Sequence, residues 1–262
     1  MDVAFLQMGG YQLYVERHSF STTKVDSPTM IFLHDSWGCV RLWGDFPKKV
    51  SRIAGLDALL YDRRGYGKSS GFAVTERTEQ YLHDEAHELV RVMDAYTIEK
   101  AVIYGHSDGA TIALITAALY PSMVKGLLLE GSHSFIENSG KAAVLATRER
   151  AKENNLLTSL EKYHGSKTPK LFRLWHETWL SDFFSKWTIV PILNRISCPV
   201  LAFQGESDEF GTIEQLNVLK KEIPTDVILA EIRNAGHTPR KEAEKESMDL
   251  LKNWLETNPC LK

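Results

Sequence analysis

The chain has 262 residues, 43% of them hydrophobic and 25% charged, with a formal net charge of −3. That balance is globular, excludes extended disorder, and suits one large domain better than two. Basic runs are short, Arg63-Arg64 and Lys220-Lys221 among them, so nothing suggests a nucleic-acid-tracking surface, and no stretch reaches the roughly 20 apolar residues of a membrane span.

In chain order, MDVAFLQMGGYQLYVERHSF alternates apolar and polar residues as a strand pair does. It lacks the basic and continuously apolar regions of a secretory leader. Residues 11–16 read as an edge strand. Residues 29–34, 58–62, 100–104, 124–129 and 199–204 read as buried strands, and 226–232 as a final one. Helical periods cover 76–96, 109–119, 212–222 and 240–256. Near-continuous apolar strands alternating with helices predict an α/β fold with a mostly parallel sheet and helices on both faces.

Between 135 and 195 the rhythm changes. No buried strand is visible, and the segment is rich in aromatics: Phe172, Trp175, Trp179, Phe183, Phe184 and Trp187. It reads as a helical lid inserted into a discontinuous core of residues 1–134 and 196–262. Most of these aromatics are expected to pack the insertion, with Trp175 and Trp179, and Trp37 from the core, lining a pocket. The three cysteines, Cys39, Cys198 and Cys260, are odd in number and widely spaced. They form neither a disulfide framework nor a zinc pattern, which points to a reducing, cytoplasmic setting.

The sharpest chemical signal is Gly105-His106-Ser107-Asp108-Gly109. It follows the apolar run AVIY and opens the helical run ATIALITAAL. Strand, one-residue turn and helix make a nucleophile elbow. Such a turn forces strain on Ser107, and Gly105 and Gly109 are expected to leave room around its Cβ. A serine hydroxyl needs a base. His237, in the loop after the last strand, is the candidate, while His106 is expected to point elsewhere. Asp208, after the strand ending at 204, is the orienting acid in preference to Glu206 and Glu209. The order Ser, Asp, His differs from the chymotrypsin and subtilisin orders. Oxyanion donors are expected from the backbone N–H groups of Asp108 and, in the loop His34-Asp35-Ser36-Trp37-Gly38, of Ser36.

These residues, with Tyr61-Asp62-Arg63-Arg64-Gly65-Tyr66-Gly67-Lys68-Ser69, resemble the α/β-hydrolase superfamily of lidded esterases, lactonases and epoxide hydrolases over nearly the full length. Asp35 stands where that family commonly has Gly. The resemblance implies a Ser107–Asp208–His237 triad acting on a small carboxylic ester, thioester or lactone that is moderately apolar. Around Ser-Asp-Gly it is closer to the biphenyl-hydrolase-like amino-acid-ester hydrolases, where the acidic residue beside the nucleophile can hold a substrate ammonium; Asp108 either does likewise, which would favour amine-bearing esters, or only hydrogen-bonds the adjacent loop. A slow receptor of the same fold and a C–C bond hydrolase share these motifs. No cofactor or metal is called for. His83 and His87 flank Asp84-Glu85-Ala86 at i, i+4, but the order departs from H-E-x-x-H, and the helix reads as solvated. Gly65-Tyr66-Gly67 lacks a phosphate-loop pattern.

Overall fold

A computed structural model describes residues 1–20, 27–258 and 261; Cys260 lies outside them. The strands are β1 (Asp2–Gln7), β2 (Gln12–His18), β3 (Thr29–Leu33), β4 (Ala58–Tyr61), β5 (Ala101–His106), β6 (Val124–Glu130), β7 (Val200–Gly205) and β8 (Val227–Ile232). Among the described residues they form one sheet in the order β1-β2-β4-β3-β5-β6-β7-β8. The β1–β2 and β2–β4 pairs are antiparallel, and the remaining pairs are parallel.

The helices are α1 (Phe46–Ala54), α2 (Tyr81–Ala95), α3 (Asp108–Leu119), α4 (Asn138–Arg150), α5 (Leu156–His164), α6 (Thr168–Leu180), α7 (Glu214–Glu222), α8 (Pro239–Glu242) and α9 (Glu244–Thr257). Successive strand residues point to opposite faces, and both faces are covered, which is why the central strands are apolar throughout. On one face Ile31, Ile103 and Leu129 pack with Leu89, Val92 and Met93 of α2 and with α3. On the other, Phe32, Tyr104 and Phe203 pack with Val50 of α1 and with Leu251 and Trp254 of α9. Helix α3 carries small and β-branched residues around its whole circumference, and nearly all are buried. It can therefore lie directly on the sheet, and it carries Ser107 at its head.

The segment between β6 and β7 holds α4, α5 and α6, and a bridge between Phe135 and Thr188 joins its two ends. It is pinned to the core. Lys167 Nζ donates to the carbonyls of Gly67 (2.6 Å) and Ser69 (2.6 Å), and His164 accepts from the Gly67 N–H at 2.9 Å.

Three details differ from the sequence reading. Of residues 11–16, residues 12–16 lie in β2, which is flanked on both sides; the edge is β1, because the antiparallel pair adds outside β4. The helix expected from 76 starts at Tyr81, as Arg77 turns inward to donate to the Tyr66 hydroxyl at 2.7 Å. The helix expected over 240–256 breaks at Ala243, which has φ −134° and ψ 56°. No helix among the described residues is long and apolar enough to cross a membrane.

Candidate active site

Strand β5 ends at His106 and α3 begins at Asp108, so Ser107 makes the whole turn. Its backbone has φ 55° and ψ −121°, a conformation L-residues rarely adopt. The turn is locked by neighbours. The Ser107 N–H donates to the Glu130 carbonyl at 2.9 Å, and its own carbonyl accepts from Ala110 and Thr111. The flanking glycines are needed for a reason other than room at the Ser107 Cβ. A Cβ on Gly105 would run into the backbone of Gly109 and Ala110, and one on Gly109 into the carbonyl of Leu33. They let the helix head approach β3 and β5.

The parallel strands end on the same edge, and loops from distant segments meet there. Asp208 sits in the turn after β7, where its N–H donates to Gly205 at 3.1 Å. His237 sits in the loop after β8. Its Nδ1–H donates to the Asp208 carboxylate, 2.9 Å from both oxygens. Asp208 Oδ1 also accepts the Phe210 N–H at 2.9 Å. Burial opposes the Asp208 charge, but the His237 charge and hydrogen bond outweigh it, with His133 and the Phe210 N–H assisting, and hold the carboxyl below the usual range. Burial likewise opposes protonation of His237. The Asp208 carboxylate, with Asp35 and Glu209 behind it, wins and raises the affinity of the ring for a proton.

With Nδ1 committed to Asp208, Nε2 is the nitrogen left for chemistry, and it has no protein partner among the described residues. Ser107 and His237 line one cavity of about 410 Å³. Their side chains are not hydrogen-bonded to each other; such contacts often tighten only when substrate binds. The cavity is also walled by Ser36, Trp37, Val144, Leu160, Trp175, Trp179 and Phe210, with the exposed Glu209, Lys241 and Glu242 among its polar residues. The backbone N–H groups of Ser36 and Asp108, the two expected oxyanion donors, bond to no other group among the described residues.

The Asp108 side chain does not enter the cavity. It is fully buried and absent from the cavity wall. It turns behind the elbow, 3.9 Å from Arg63 Nη2 and 3.4 Å from the Tyr81 hydroxyl. A carboxylate in a dry interior goes to its guanidinium partner, and of the two readings of Asp108 this placement favours the one in which it bonds its protein surroundings. Glu85 corrects the reading of α2 as a solvated helix. Its carboxyl points inward, 3.8 Å from Arg63, and burial pushes it up to about 7 against the pull of that charge. His87 lies on the exposed side, with Nδ1 2.6 Å from the Tyr120 hydroxyl. No group of three or more metal-binding side chains is found among the described residues.

Sequence reasoning missed further residues that hold the site. Arg240, three positions after His237, forms a buried ion pair with Glu130 at the end of β6, and its N–H donates to Glu130 at 2.9 Å. The Tyr104 hydroxyl donates to the same carboxylate at 2.8 Å. The His237 ring is flanked by Phe210 and His133, at centroid distances of 4.9 and 5.8 Å. His106, expected to point away, faces the His237 loop. A buried polar run at strand ends was the available signal, but it does not name partners.

Residues 28–151 match the family model described as alpha/beta hydrolase fold. The Homo sapiens protein named serine hydrolase BPHL is 27% identical over 156 residues, covering 56% of this chain and 52% of that protein. The chain thus matches over about half the length of that curated relative. An alpha/beta hydrolase enzyme from a Medee basin deep-sea metagenome library superposes with a TM-score of 0.76 at 21% identity, over 97% of each chain. The enol-lactonase from Burkholderia xenovorans LB400 does so with a TM-score of 0.74 at 16% identity, over 97% of this chain and 100% of that one. The chain has the α/β-hydrolase fold, and over residues 28–151 it is similar to that family.

Proposed function

We propose that the protein is a serine hydrolase that cleaves a small, moderately apolar carboxylic ester, thioester or lactone through an acyl-enzyme on Ser107. The observation that carries this reading is that Ser107, on its strained turn, and His237, hydrogen-bonded to Asp208 behind it, line one cavity.

His237 Nε2 takes the Ser107 proton as Oγ attacks the substrate carbonyl carbon. The carbonyl oxygen becomes an oxyanion held by the N–H groups of Ser36 and Asp108. The bond to the leaving group breaks, and that group takes the proton from His237. Water then attacks the acyl carbon with His237 as base, releasing the acid and restoring Ser107. Asp208 keeps the ring in the tautomer with Nε2 free and stabilises its charged form. The aromatic wall of Trp37, Trp175, Trp179 and Phe210 supports an apolar acyl or alcohol portion, with residues 135–195 acting as a lid. A fold neighbour named as an enol-lactonase supports including lactones.

The test is turnover of p-nitrophenyl esters and simple lactones by the parent chain and by Ser107→Ala. The expected loss in kcat is on the order of 10⁴-fold or more. Full turnover by the variant overturns the assignment.

A further inference from the structure

Three donors converge on the carbonyl oxygen of Asp35. His34 Nδ1 lies 2.8 Å from it, Arg63 Nη2 2.9 Å, and the Gly38 nitrogen 3.2 Å. The same Nη2 lies 3.3 Å from the His34 carbonyl oxygen. Both side chains are buried, Arg63 completely. The Arg63 backbone N–H donates to His34 Nε2 at 3.1 Å, so that nitrogen carries the lone pair. Burial, with the Arg63 charge, holds the proton affinity of the ring well below its ordinary value. A neutral imidazole has one N–H, and here it is on Nδ1, facing the Asp35 carbonyl.

The peptide that bears this carbonyl also bears the Ser36 N–H, one of the two expected oxyanion donors. It is trans, and a trans peptide is planar, so its C=O and N–H point in opposite directions. Holding the carbonyl toward Arg63 and His34 therefore holds the Ser36 N–H away from them, and Ser36 lines the cavity. Donors on a carbonyl also polarise the peptide and strengthen its N–H. Arg63 contributes most, because a charged donor makes the stronger bond. Its charge is balanced behind the elbow by Asp108 at 3.9 Å and Glu85 at 3.8 Å. Asp108 supplies the other expected donor, so one guanidinium stands behind both residues of the oxyanion hole.

We propose that Arg63 and His34 are positioning residues that aim and polarise the Ser36 N–H for the oxyanion. Their role rests on the reading of Ser107 as the nucleophile. Neither side chain touches a reacting atom. A peptide whose carbonyl has lost a donor tilts more freely and donates more weakly. The cost falls on the charged tetrahedral intermediate and spares the neutral bound substrate. Loss of a tie should therefore lower kcat and leave KM nearly unchanged.

The test separates the two bonds of His34. In His34→Asn the amide N–H can stand where Nδ1 stood, keeping the tie to Asp35 and losing the acceptor for the Arg63 N–H. In His34→Gln the amide oxygen can stand where Nε2 stood, keeping that acceptor and losing the tie to Asp35. These variants, Arg63→Gln and the parent chain are compared by p-nitrophenyl ester kinetics, by Ki for an alkyl trifluoromethyl ketone, and by the ¹⁵N shift of the Ser36 amide without substrate. Ser107 Oγ adds to the ketone carbon, its proton passes to His237, and the π pair moves onto the oxygen as an oxyanion. In His34→Gln, kcat should fall about tenfold and Ki should rise about tenfold, with KM within about threefold of the parent. The Ser36 resonance should move. Arg63→Gln should show the same pattern more strongly, and His34→Asn should stay near the parent in every measure. Equal losses in the two His34 variants, a lower kcat with unaltered ketone affinity, or an unmoved Ser36 resonance in His34→Gln overturns the positioning role. If Arg63→Gln fails to fold, the His34 pair decides alone. A parent chain that neither turns over esters nor binds the ketone overturns the Ser107 reading instead, and the Ser36 resonance still reports on the peptide.

Discussion

Ser107 stands at φ 55° and ψ −121° and is held there by hydrogen bonds to Glu130, Ala110 and Thr111. A non-glycine residue in such a region costs about 1–3 kcal/mol, stored until something relieves it. Ser107→Gly should relieve it, because glycine adopts positive φ freely. Against this, glycine gives the unfolded chain extra freedom worth roughly 0.5–1 kcal/mol. The net gain is therefore about 0–2.5 kcal/mol, centred near 1 kcal/mol. Ser107→Ala is the proper reference, since it also lacks the hydroxyl but keeps the Cβ and the strain. For a chain of this size the centre of that range corresponds to a melting temperature about 2–4 °C above that of Ser107→Ala. Thermal unfolding followed by circular dichroism, with urea midpoints as a second measure, reads the difference. Both variants should lack turnover. If Ser107→Gly melted clearly below Ser107→Ala, the turn would not be a strain reservoir, and the account of the elbow would be wrong.

Asp208→Asn should lower kcat by about 10⁴-fold, because the amide no longer fixes the His237 tautomer. Asp208 raises the proton affinity of His237, so any residual rate should have its rising limb moved to lower pH, as a pH–rate profile would reveal. Glu130→Ala leaves Arg240 buried and unpaired and should cost about 3–5 kcal/mol in urea unfolding. Glu130 is held below its ordinary value: burial opposes its charge, but Arg240 outweighs that. Its stabilisation is therefore present above the unfolded carboxyl pKa and is lost as pH falls through the lower folded value. The gap between Glu130→Ala and the parent should thus narrow in acid. Gly109→Ala should destabilise by about 1–3 kcal/mol or more, because the added methyl overlaps the Leu33 carbonyl. Turnover should fall with it, since α3 must retreat from β3.

The buried central strands and the strand–turn–helix at Ser107 were legible in the sequence alone. Those are local matters: alternating or continuous apolar runs decide which segments are buried strands, and only Gly-x-Ser-x-Gly between strand and helix permits the turn at Ser107. It could not decide where the side chains of the turn would point. Asp108 was legible as a residue beside the nucleophile, but its direction was set by Arg63 and Tyr81, some 45 and 27 positions earlier in the chain. The place of residues 11–16 inside the sheet depended on β1 pairing outside them, which periodicity does not encode. The bond from His106 to the carbonyl of His237 spans 131 positions, and the 410 Å³ cavity is lined by segments spread from residue 35 to residue 242. Hydrophobic period fixes which face of an element is buried. It says nothing of which charged partner awaits a buried polar group, because that partner is chosen only when the strand ends are brought together.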